Sequence, residues 1–585
     1  MTRAGELMGK LIVAIALLSG VLGGCQSVAP NANTAAITVA QPQAMQAFSR
    51  ASVRLQSSPF AHAQQVNIDY LLAMETDKLL APYLREAGLP AAQQPYGNWE
   101  SSGLDGHIGG HYLSALSLAY AASGDERLLS RLDYMLAQLR QAQLQQNGYL
   151  GGIPDGKAMW QQVANGDIRA DLFSLNERWV PLYNIDKIFH GLRDAYQIAH
   201  RPQAKKMLLD LGQWMLSLTD ALTDAQIQRM LYSEHGGLNE VFADIALISG
   251  DPRYVKLAQR FTHRQLVTPL SNQHDELDGL HANTQIPKVI GALKVAQLTD
   301  NDAWQRAAEF FWQRVTQQRS VSIGGNSVRE HFHSSDDFTP MITDVEGPET
   351  CNTYNMLKLS KMLFLQSGDT RYLDYYERAT YNHILSSQHP QHGGLVYFTS
   401  MRPGHYRKYS SVTESMWCCV GSGIENHSKY GELVFTHKPD ALAVNLFIAS
   451  ELHWQEQHAK VRLNTHFPDQ QAVSLHLDVL KEPRRFAIKV RQPDWLKQPL
   501  TFMLNGQPIE TASAEQGYVT IDRRWQQGDS LSWQLDAQLY TEQLADGQNY
   551  YAVLYGPVVL ATPVRAFANE QLEFIADDSR MGHIA

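Results

Sequence analysis

Four residues with thiol or carboxyl side chains stand out because they lie in two short segments. GPETC contains Glu349 and Cys351, and WCCVGSGIEN contains the adjacent pair Cys418 and Cys419. Adjacent cysteines form only a strained disulfide, whereas three thiolates and one carboxylate make a chemically sensible tetrahedral zinc site. The sequence therefore predicts a Zn²⁺ site. The alternative is a set of small buried cysteines without a metal, since free cysteine is among the most buried residue types.

The first pair of predicted ligands is expected at the start of a helix. Pro348 precedes them, and proline is favoured in the first turn of a helix. The segment that follows, NTYNMLKLSKML, has the apolar spacing of a helix. A helix N-terminus stabilises anionic ligands and lowers the pKa of a thiol. Such a site is either closed and structural, or it contains one reactive thiolate.

Helical periodicity predicts the framework around these residues. Apolar residues recur at helical spacing over residues 61–436, as at Leu113, Leu116 and Tyr120. The turn phrases SGDERL, SGDPRY and SGDTRY recur, each with glycine at a helix end and aspartate at the next helix start. We expect repeated helical hairpins closed into an (α/α)6 toroid. The alternative is an irregular helical domain that reuses one turn.

The pattern changes to short β-rich runs over residues 437–585. ALAVNLFIA, VSLHLDVL and YVTIDRRW are typical of strands, and Asn505-Gly506 is a strong hairpin signal. The fold class predicted is α+β multidomain, with a toroid followed by a β-sandwich domain. We also expect the natural chain to continue past Ala585.

The N-terminal region and the composition indicate where the protein works. Residues 1–25 have the form of a signal peptide ending in the lipobox-like Leu-Gly-Gly-Cys25, and residues 26–60 are predicted to be a flexible tether. The expectation is an outer-membrane lipoprotein or a periplasmic protein of the cell envelope. The alternative is an ordinary secretory signal. The net charge of -10 argues against nucleic-acid partners and against membrane contact other than through the lipid anchor.

Several motifs in order resemble one enzyme family. GPETC, WCCVGSGIENHSKYGE, LDGHIGGHY, EHGGLNE and HANTQIPK together resemble glycoside hydrolase family 146, a relative of family 127. Both contain retaining β-L-arabinofuranosidases. The resemblance implies an (α/α)6 barrel with β-sandwich modules, a zinc ion, and an arabinofuranose-containing oligosaccharide or polysaccharide as substrate.

The resemblance also implies roles for individual residues. Glu349, Cys351, Cys418 and Cys419 are the implied zinc ligands, and Cys418 is the implied nucleophile. Glu330, in VREHF, is the implied general acid/base. The family has Gly before this glutamate, where this chain has Arg.

The same resemblance implies contacts to the sugar. The residues concerned are His235, His281, Glu377 and Tyr397. In LYNIDKIFHGL the family commonly has His where this chain has Asp186. The sequence therefore leaves open which sugar this position favours.

Two other functions remain as alternatives. One is a carboxylate-based glycosidase or polysaccharide lyase in which zinc is only structural, so that a Cys418→Ser variant retains activity. The other is a glycan-binding lipoprotein without catalysis.

Overall fold

The computed structural model describes residues 44–402, 404 and 407–562. The predicted signal peptide, Cys25 and the first part of the predicted tether lie outside the described residues, as does the stretch from 563 to Ala585. In the described ranges we find no helix that combines the length and the apolar character needed to cross a bilayer.

The first half of the chain and the region up to residue 426 are mainly helical. The helices are α1 (Pro59–Ala73), α2 (Thr76–Glu86), α3 (His107–Ser123), α4 (Glu126–Gln145), α5 (Gly156–Ala164), α6 (Pro181–Gln197), α7 (Pro202–Thr219), α8 (Asp224–Met230), α9 (Leu238–Ser249), α10 (Pro252–Arg260), α11 (Arg264–Ser271), α12 (Ala282–Thr299), α13 (Asp302–Gln318), α14 (Thr339–Thr343), α15 (Thr350–Ser367), α16 (Arg371–Ala379) and α17 (Cys418–Asn426).

Six of these helices form a closed inner ring. Each of α3, α6, α9, α12 and α15 contacts the next one in this order, α15 contacts α17, and α17 returns to contact α3. Helices α4, α7, α10, α13 and α16 each pack on the inner helix that precedes them in the chain. Alternation of inner and outer helices confirms the predicted toroid.

The recurring SGD turns connect inner to outer helices in the way that their residue types require. Gly124 and Gly250 end α3 and α9 with φ of 79° and 74°, a left-handed conformation that costs glycine little. Asp125 and Asp251 then accept hydrogen bonds from backbone N–H groups in the first turns of α4 and α10. The repeated phrase is therefore a capping device between paired helices.

The strands are β1 (Gln46–Ala47), β2 (Val53–Leu55), β3 (Ala170–Asp171), β4 (Ser174–Leu175), β5 (Arg178–Trp179), β6 (Phe435–Lys438), β7 (Ala441–Val444), β8 (Ser450–Trp454), β9 (Ala459–Thr465), β10 (Ala472–Leu480), β11 (Arg484–Arg491), β12 (Phe502–Leu504), β13 (Gln507–Ile509), β14 (Tyr518–Trp525), β15 (Ser530–Gln534), β16 (Leu539–Gln543), β17 (Tyr551–Tyr555) and β18 (Val558–Val559).

Two of the sheets form the sandwich that follows the toroid. One has the strand order β1-β6-β7-β11-β14 and the other β13-β12-β15-β10-β9-β8-β2. Their inner faces share one hydrophobic core, in which the rings of Trp454 and Phe486 lie 5.6 Å apart. Asn505-Gly506 connects β12 and β13, as predicted. The strands β16, β17 and β18 form a smaller sheet, and β3, β4 and β5 form another within the helical domain.

The predicted tether ends earlier than expected. Strand β1 pairs with β6, β2 pairs with β8, and α1 begins at Pro59. Residues 46–60 are therefore structured, and the prediction of a flexible tether is wrong for them. The short strands were missed because their edge positions carry little of the alternating apolar pattern.

A buried ion pair joins the toroid to the sandwich. The Arg491 guanidinium, at the end of β11, lies 2.6 Å from Glu377 Oε1 of α16 and also contacts Asp374. The Trp495 indole N–H donates to the other Glu377 oxygen at 2.9 Å. Arg491 and Glu377 are both buried. Removing one partner leaves an uncompensated buried charge, which is strongly destabilising.

We expect Glu377→Gln to lower the free energy of unfolding by about 3 kcal/mol, because the buried guanidinium loses one of its carboxylates. Urea denaturation measures this change. The matched control is Glu451→Gln, which breaks the more exposed pair with Lys460 (2.8 Å) and is expected to cost about 0–1 kcal/mol. An equal, small effect in both variants would contradict a structural role for Glu377.

Candidate active site

Three sulfur atoms and one carboxylate meet at the centre of the toroid. The ligand atoms of Glu349, Cys351, Cys418 and Cys419 all lie within 4.8 Å of one another, and all four residues are buried. Cys351 Sγ is 3.1 Å from Cys419 Sγ, which is 3.9 Å from Cys418 Sγ. Glu349 Oε1 is 3.7 Å from Cys418 Sγ and 3.6 Å from Cys419 Sγ. The two sequence segments therefore converge as predicted.

Two helix N-termini position these groups. Glu349 is the N-cap residue of α15, and Cys351 is the second residue of that helix. Cys418 and Cys419 are the first two residues of α17. The Thr350 N–H donates to the Tyr397 carbonyl oxygen at 3.0 Å, which ties the start of α15 to the loop that contains Tyr397. Partial positive charge at both helix ends favours anionic groups here.

At most of these groups, burial raises the pKa and so acts against the helix dipoles, which favour the ionised form. It raises the pKa of Cys418 and of Cys419 well above the ordinary thiol value, and it raises that of Glu349, which the nearby Cys418 raises further. For Cys351 burial also acts to raise the pKa, but hydrogen bonds from Cys418 and Cys419 outweigh it and the pKa is lowered. A helix N-terminus alone therefore does not keep all three thiols ionised.

The donor set fits a metal ion. Glu349 Oε2 is buried without a hydrogen-bond partner among the described residues, and such a carboxylate oxygen is costly unless a cation faces it. The 3.9 Å between the Cys418 and Cys419 sulfur atoms is close to the edge, about 3.8 Å, of a tetrahedron with metal–sulfur bonds of about 2.3 Å. The 3.1 Å between the Cys351 and Cys419 sulfur atoms is shorter than that edge. The four groups can hold a metal ion.

Glu330 is brought to the same site from the loop between α13 and α14. Its Oε1 accepts a hydrogen bond from the Tyr397 hydroxyl, and that hydroxyl oxygen lies 3.4 Å from Cys418 Sγ. Its Oε2 lies 3.5 Å from His281 Nε2. Cys418, Tyr397, Glu330 and His281 thus form one continuous chain of contacts, which joins four residues predicted separately from the sequence.

His281 is oriented by the start of α12. Its Nδ1 accepts a hydrogen bond from the Thr284 backbone N–H at 3.2 Å, so that Nε2 faces Glu330. Burial acts to lower the pKa of His281, but the Glu330 carboxylate outweighs burial and the pKa is raised.

The backbone at Arg329 and Glu330 has a conformation that is uncommon for residues other than glycine. Arg329 has φ of 47° and Glu330 has φ of 65°, both in the left-handed region that favours glycine. The conformation is held because the Ala282 N–H donates to the Glu330 carbonyl at 2.7 Å, and the Arg329 N–H donates to the Glu346 carbonyl at 3.0 Å. Arg329 also pairs with Asp344 at 2.7 Å. These contacts offset the backbone strain that glycine would avoid.

A cavity opens beside Cys418 along the toroid axis. Its volume is about 50 Å³, and it is lined by inner helices, with Tyr183, Lys187, Glu234 and Glu425 among its polar walls. A narrower extension is lined by Trp99, Phe173, Trp179, His281, Glu330 and Tyr397. The Trp and Tyr rings give it the mixed apolar and polar lining of a sugar pocket.

The sequence reasoning missed Glu234, which lines both parts of this cavity. Burial raises the pKa of its carboxyl group. It precedes His235 in EHGGLNE, and this position beside a predicted sugar contact is the signal in the sequence that could have identified Glu234. His111, in LDGHIGGHY, also lines the cavity, and its Nδ1 lies 2.6 Å from Glu425 Oε1.

Asp186 lines the cavity, but its carboxylate contacts other groups of the same chain. Its carboxylate accepts from Lys187 Nζ at 2.9 Å and from the Gly237 N–H at 3.1 Å, and lies 3.0 Å from His190 Nδ1. Burial acts to raise its pKa, but the charges of His190 and Lys187 outweigh burial and lower it. Asp186 therefore holds its neighbours in place as a permanent anion.

Two predicted sugar contacts do not lie at this cavity. His235 is fully buried behind it, where its Nδ1 contacts the Ser233 carbonyl at 3.0 Å and its ring packs on His263. Glu377 is in the ion pair with Arg491, at the junction with the sandwich. The structure therefore places both side chains outside the lining of this cavity.

Comparison with known proteins agrees with this geometry. A comparison with curated proteins found no match. Among solved structures, a β-arabinofuranosidase of glycoside hydrolase family 127 superimposes with a TM-score of 0.70 at 18% identity, covering 88% of this chain and 85% of the other. A family 127 β-L-arabinofuranosidase from Geobacillus stearothermophilus T6 gives 0.68 at 16% identity, covering 87% and 86%. These likenesses show the fold.

The family models identify the domains. The catalytic-domain model of family 127 β-L-arabinofuranosidases matches residues 52–432, and the middle-domain model matches residues 441–537. A domain of unknown function matches residues 540–585. Membership of family 146 is not confirmed. The catalytic model spans more than half of the chain and includes every residue of the thiol–carboxylate cluster, so the protein is a glycoside hydrolase that belongs to family 127.

Proposed function

We propose that this enzyme is an exo-acting, retaining β-L-arabinofuranosidase that uses Cys418 as its nucleophile. The observation that carries the proposal is the short path from Cys418 Sγ through the Tyr397 hydroxyl to the Glu330 carboxylate. A nucleophile and a general acid/base must flank the same glycosidic bond, and here both border one cavity. The alternative, a carboxylate nucleophile with a purely structural metal, would use one of the carboxylates that line the cavity, such as Glu234.

The cofactor proposed is zinc, held by Glu349, Cys351, Cys418 and Cys419. Three thiolates and a carboxylate are the ligand types that Zn²⁺ accepts in a tetrahedral site. When bound, zinc supplies the positive charge that keeps these buried thiols deprotonated near neutral pH.

In the first step the thiolate of Cys418 attacks the anomeric carbon of the bound sugar. A carbon–sulfur bond forms as the bond to the leaving oxygen breaks, and Glu330 gives its proton to that oxygen. Tyr397 donates to Glu330 Oε1 and so keeps the carboxyl group in place beside the nucleophile. The product of this step is a glycosyl group on Cys418.

In the second step a water molecule replaces the leaving group. Glu330, now a carboxylate, takes a proton from the water as its oxygen attacks the anomeric carbon. The carbon–sulfur bond breaks and the electron pair returns to Cys418. Two displacements at one carbon give net retention of configuration. His281, 3.5 Å from Glu330, stabilises the carboxylate between the two steps.

The proposed substrate is an oligosaccharide or polysaccharide that ends in β-L-arabinofuranose. This proposal rests on the family, whose catalytic model is described by that activity.

We expect Glu330→Gln to lower kcat/KM on p-nitrophenyl β-L-arabinofuranoside by on the order of 10²–10⁴, because the general acid/base is lost. Added azide, which needs no deprotonation, should restore turnover of the glycosyl-enzyme. The control is Glu346→Gln, a buried carboxyl group in the same region whose side chain does not line the cavity. Full activity of Glu330→Gln, or an equal loss in the control, would contradict the assignment.

We expect the purified protein to contain one zinc ion per chain and Cys351→Ser to lose it on dialysis against a chelator, because one of four ligands is removed. Inductively coupled plasma mass spectrometry measures the content. Ser422→Ala is the matched control, since Ser422 Oγ lies 3.0 Å from Cys351 Sγ but is not one of the clustered ligand atoms. A Cys351→Ser variant that retains zinc like the control would refute this ligand set.

We also propose that the enzyme is attached to the cell envelope by a lipid on Cys25. The Leu-Gly-Gly-Cys sequence after an apolar run supports this proposal. Expression of the full chain in a Gram-negative bacterium should place the wild type in the outer-membrane fraction and Cys25→Ser outside it. The same distribution for both proteins would refute the anchor.

A further inference from the structure

A second depression lies beside the catalytic cavity. We call it the distal groove; its volume is about 330 Å³, and its walls include Leu172, Tyr232, His274, Leu280, His281 and Lys288. The segments that form it are the end of the β3–β4 turn, the residues after α8, and the α11–α12 connection with the first turns of α12. No step of the proposed mechanism uses this groove.

The groove adjoins the catalytic cavity at its leaving-group side. His281 lines both spaces, and the adjacent residues Leu172 and Phe173 divide them, with Leu172 in the groove and Phe173 in the cavity. Glu330, the proposed acid, lies 3.5 Å from His281. The oxygen that Glu330 protonates connects the terminal sugar to the rest of the glycan, so that the glycan leaves the cavity toward His281.

The rim of the groove carries exposed apolar surface. Tyr232 is 47% exposed and Leu280 is 36% exposed. An exposed tyrosine presents a rigid ring with an apolar face and a polar tip, which suits the face of a sugar ring. The segment after α8 thus contributes Tyr232 to the groove and Glu234 to the cavity.

The floor of the groove has an unused hydrogen-bond donor. Lys288 is buried; its ammonium donates to Gln285 Oε1 at 3.2 Å and lies 3.2 Å from His263 Nδ1. An ammonium group has three N–H donors. No carboxylate of the described residues lies within ion-pair distance of Lys288, so its third donor is available to an oxygen atom in the groove.

We infer that the distal groove is the subsite for the leaving group and binds the sugar residue to which the terminal arabinofuranose is linked. Tyr232 and Leu280 contact the face of that sugar, and Lys288 donates to one of its oxygen atoms. This assignment rests on the proposed function and adds that the preferred substrate is an oligosaccharide, recognised through at least two sugar residues.

The test compares two substrates of the full-length enzyme. One is methyl β-L-arabinofuranoside, whose methyl group does not reach the groove, and the other is a disaccharide with β-L-arabinofuranose at its non-reducing end. We expect Tyr232→Ala to lower kcat/KM for the disaccharide about tenfold, mainly through KM, because ring contact is lost. The methyl glycoside should be hydrolysed as well as by the wild type.

Two variants serve as controls. Tyr232→Phe retains the ring and should retain disaccharide hydrolysis, whereas Tyr134→Ala removes a similarly exposed tyrosine from α4 and should affect neither substrate. An unchanged disaccharide rate in Tyr232→Ala, or an equal loss on both substrates, would overturn the subsite. Hydrolysis of the methyl glycoside alone by the wild type would also overturn it. Hydrolysis of neither compound by the wild type would instead overturn the proposed function.

Discussion

Three thiols and a carboxyl group, buried within 4.8 Å of one another, impose the central constraint on this molecule. Burial opposes ionisation of Cys418, Cys419 and Glu349, and the nearby Cys418 raises the pKa of Glu349 further. Two helix N-termini supply only partial positive charge. A cation coordinated by all four groups would resolve the conflict, and the starts of helices α15 and α17 bring these groups together.

The toroid supplies that convergence. Its inner helices contact one another in a closed ring, so that residues near the start of α12, α15 and α17 meet around one cavity. The sandwich supports this arrangement from outside: β1 and β2, which precede the toroid in the chain, pair with strands that follow it. The Arg491–Glu377 pair connects the same two parts. Catalytic geometry and domain packing therefore depend on each other.

Much of this could be predicted from the sequence, for physical reasons. Glycine and aspartate in the SGD turns mark helix ends and starts. Only four cysteines occur in the chain, so that the adjacent pair and the Glu-x-Cys spacing indicate a metal site. The positions of Glu377 and His235 could not be predicted in this way, because a polar residue in a matching motif either lines a pocket or pairs with a distant buried group. The Arg491 partner of Glu377 lies 114 positions further along the chain. Glu234 was missed for the same reason, since only the tertiary fold directs its carboxylate into the cavity.

Arg329 illustrates how structure accounts for an unusual sequence. Its positive φ would suit glycine, and the chain instead holds arginine there through two backbone hydrogen bonds and the pair with Asp344. These contacts hold the backbone conformation that presents Glu330. Asp186 is different, because its carboxylate is committed to Lys187 and His190 and alters the charge of the cavity wall.

The most direct test of the account is to identify the atom that carries the sugar between the two steps. The enzyme would be incubated with a slowly turned-over 2-fluoro β-L-arabinofuranoside, digested with protease, and analysed by tandem mass spectrometry. The account predicts one fluoropentosyl group on the peptide that contains Cys418, attached to the first cysteine of the pair. The same group on Glu234 or Glu349, in an enzyme that turns over the parent substrate, would contradict the thiolate mechanism.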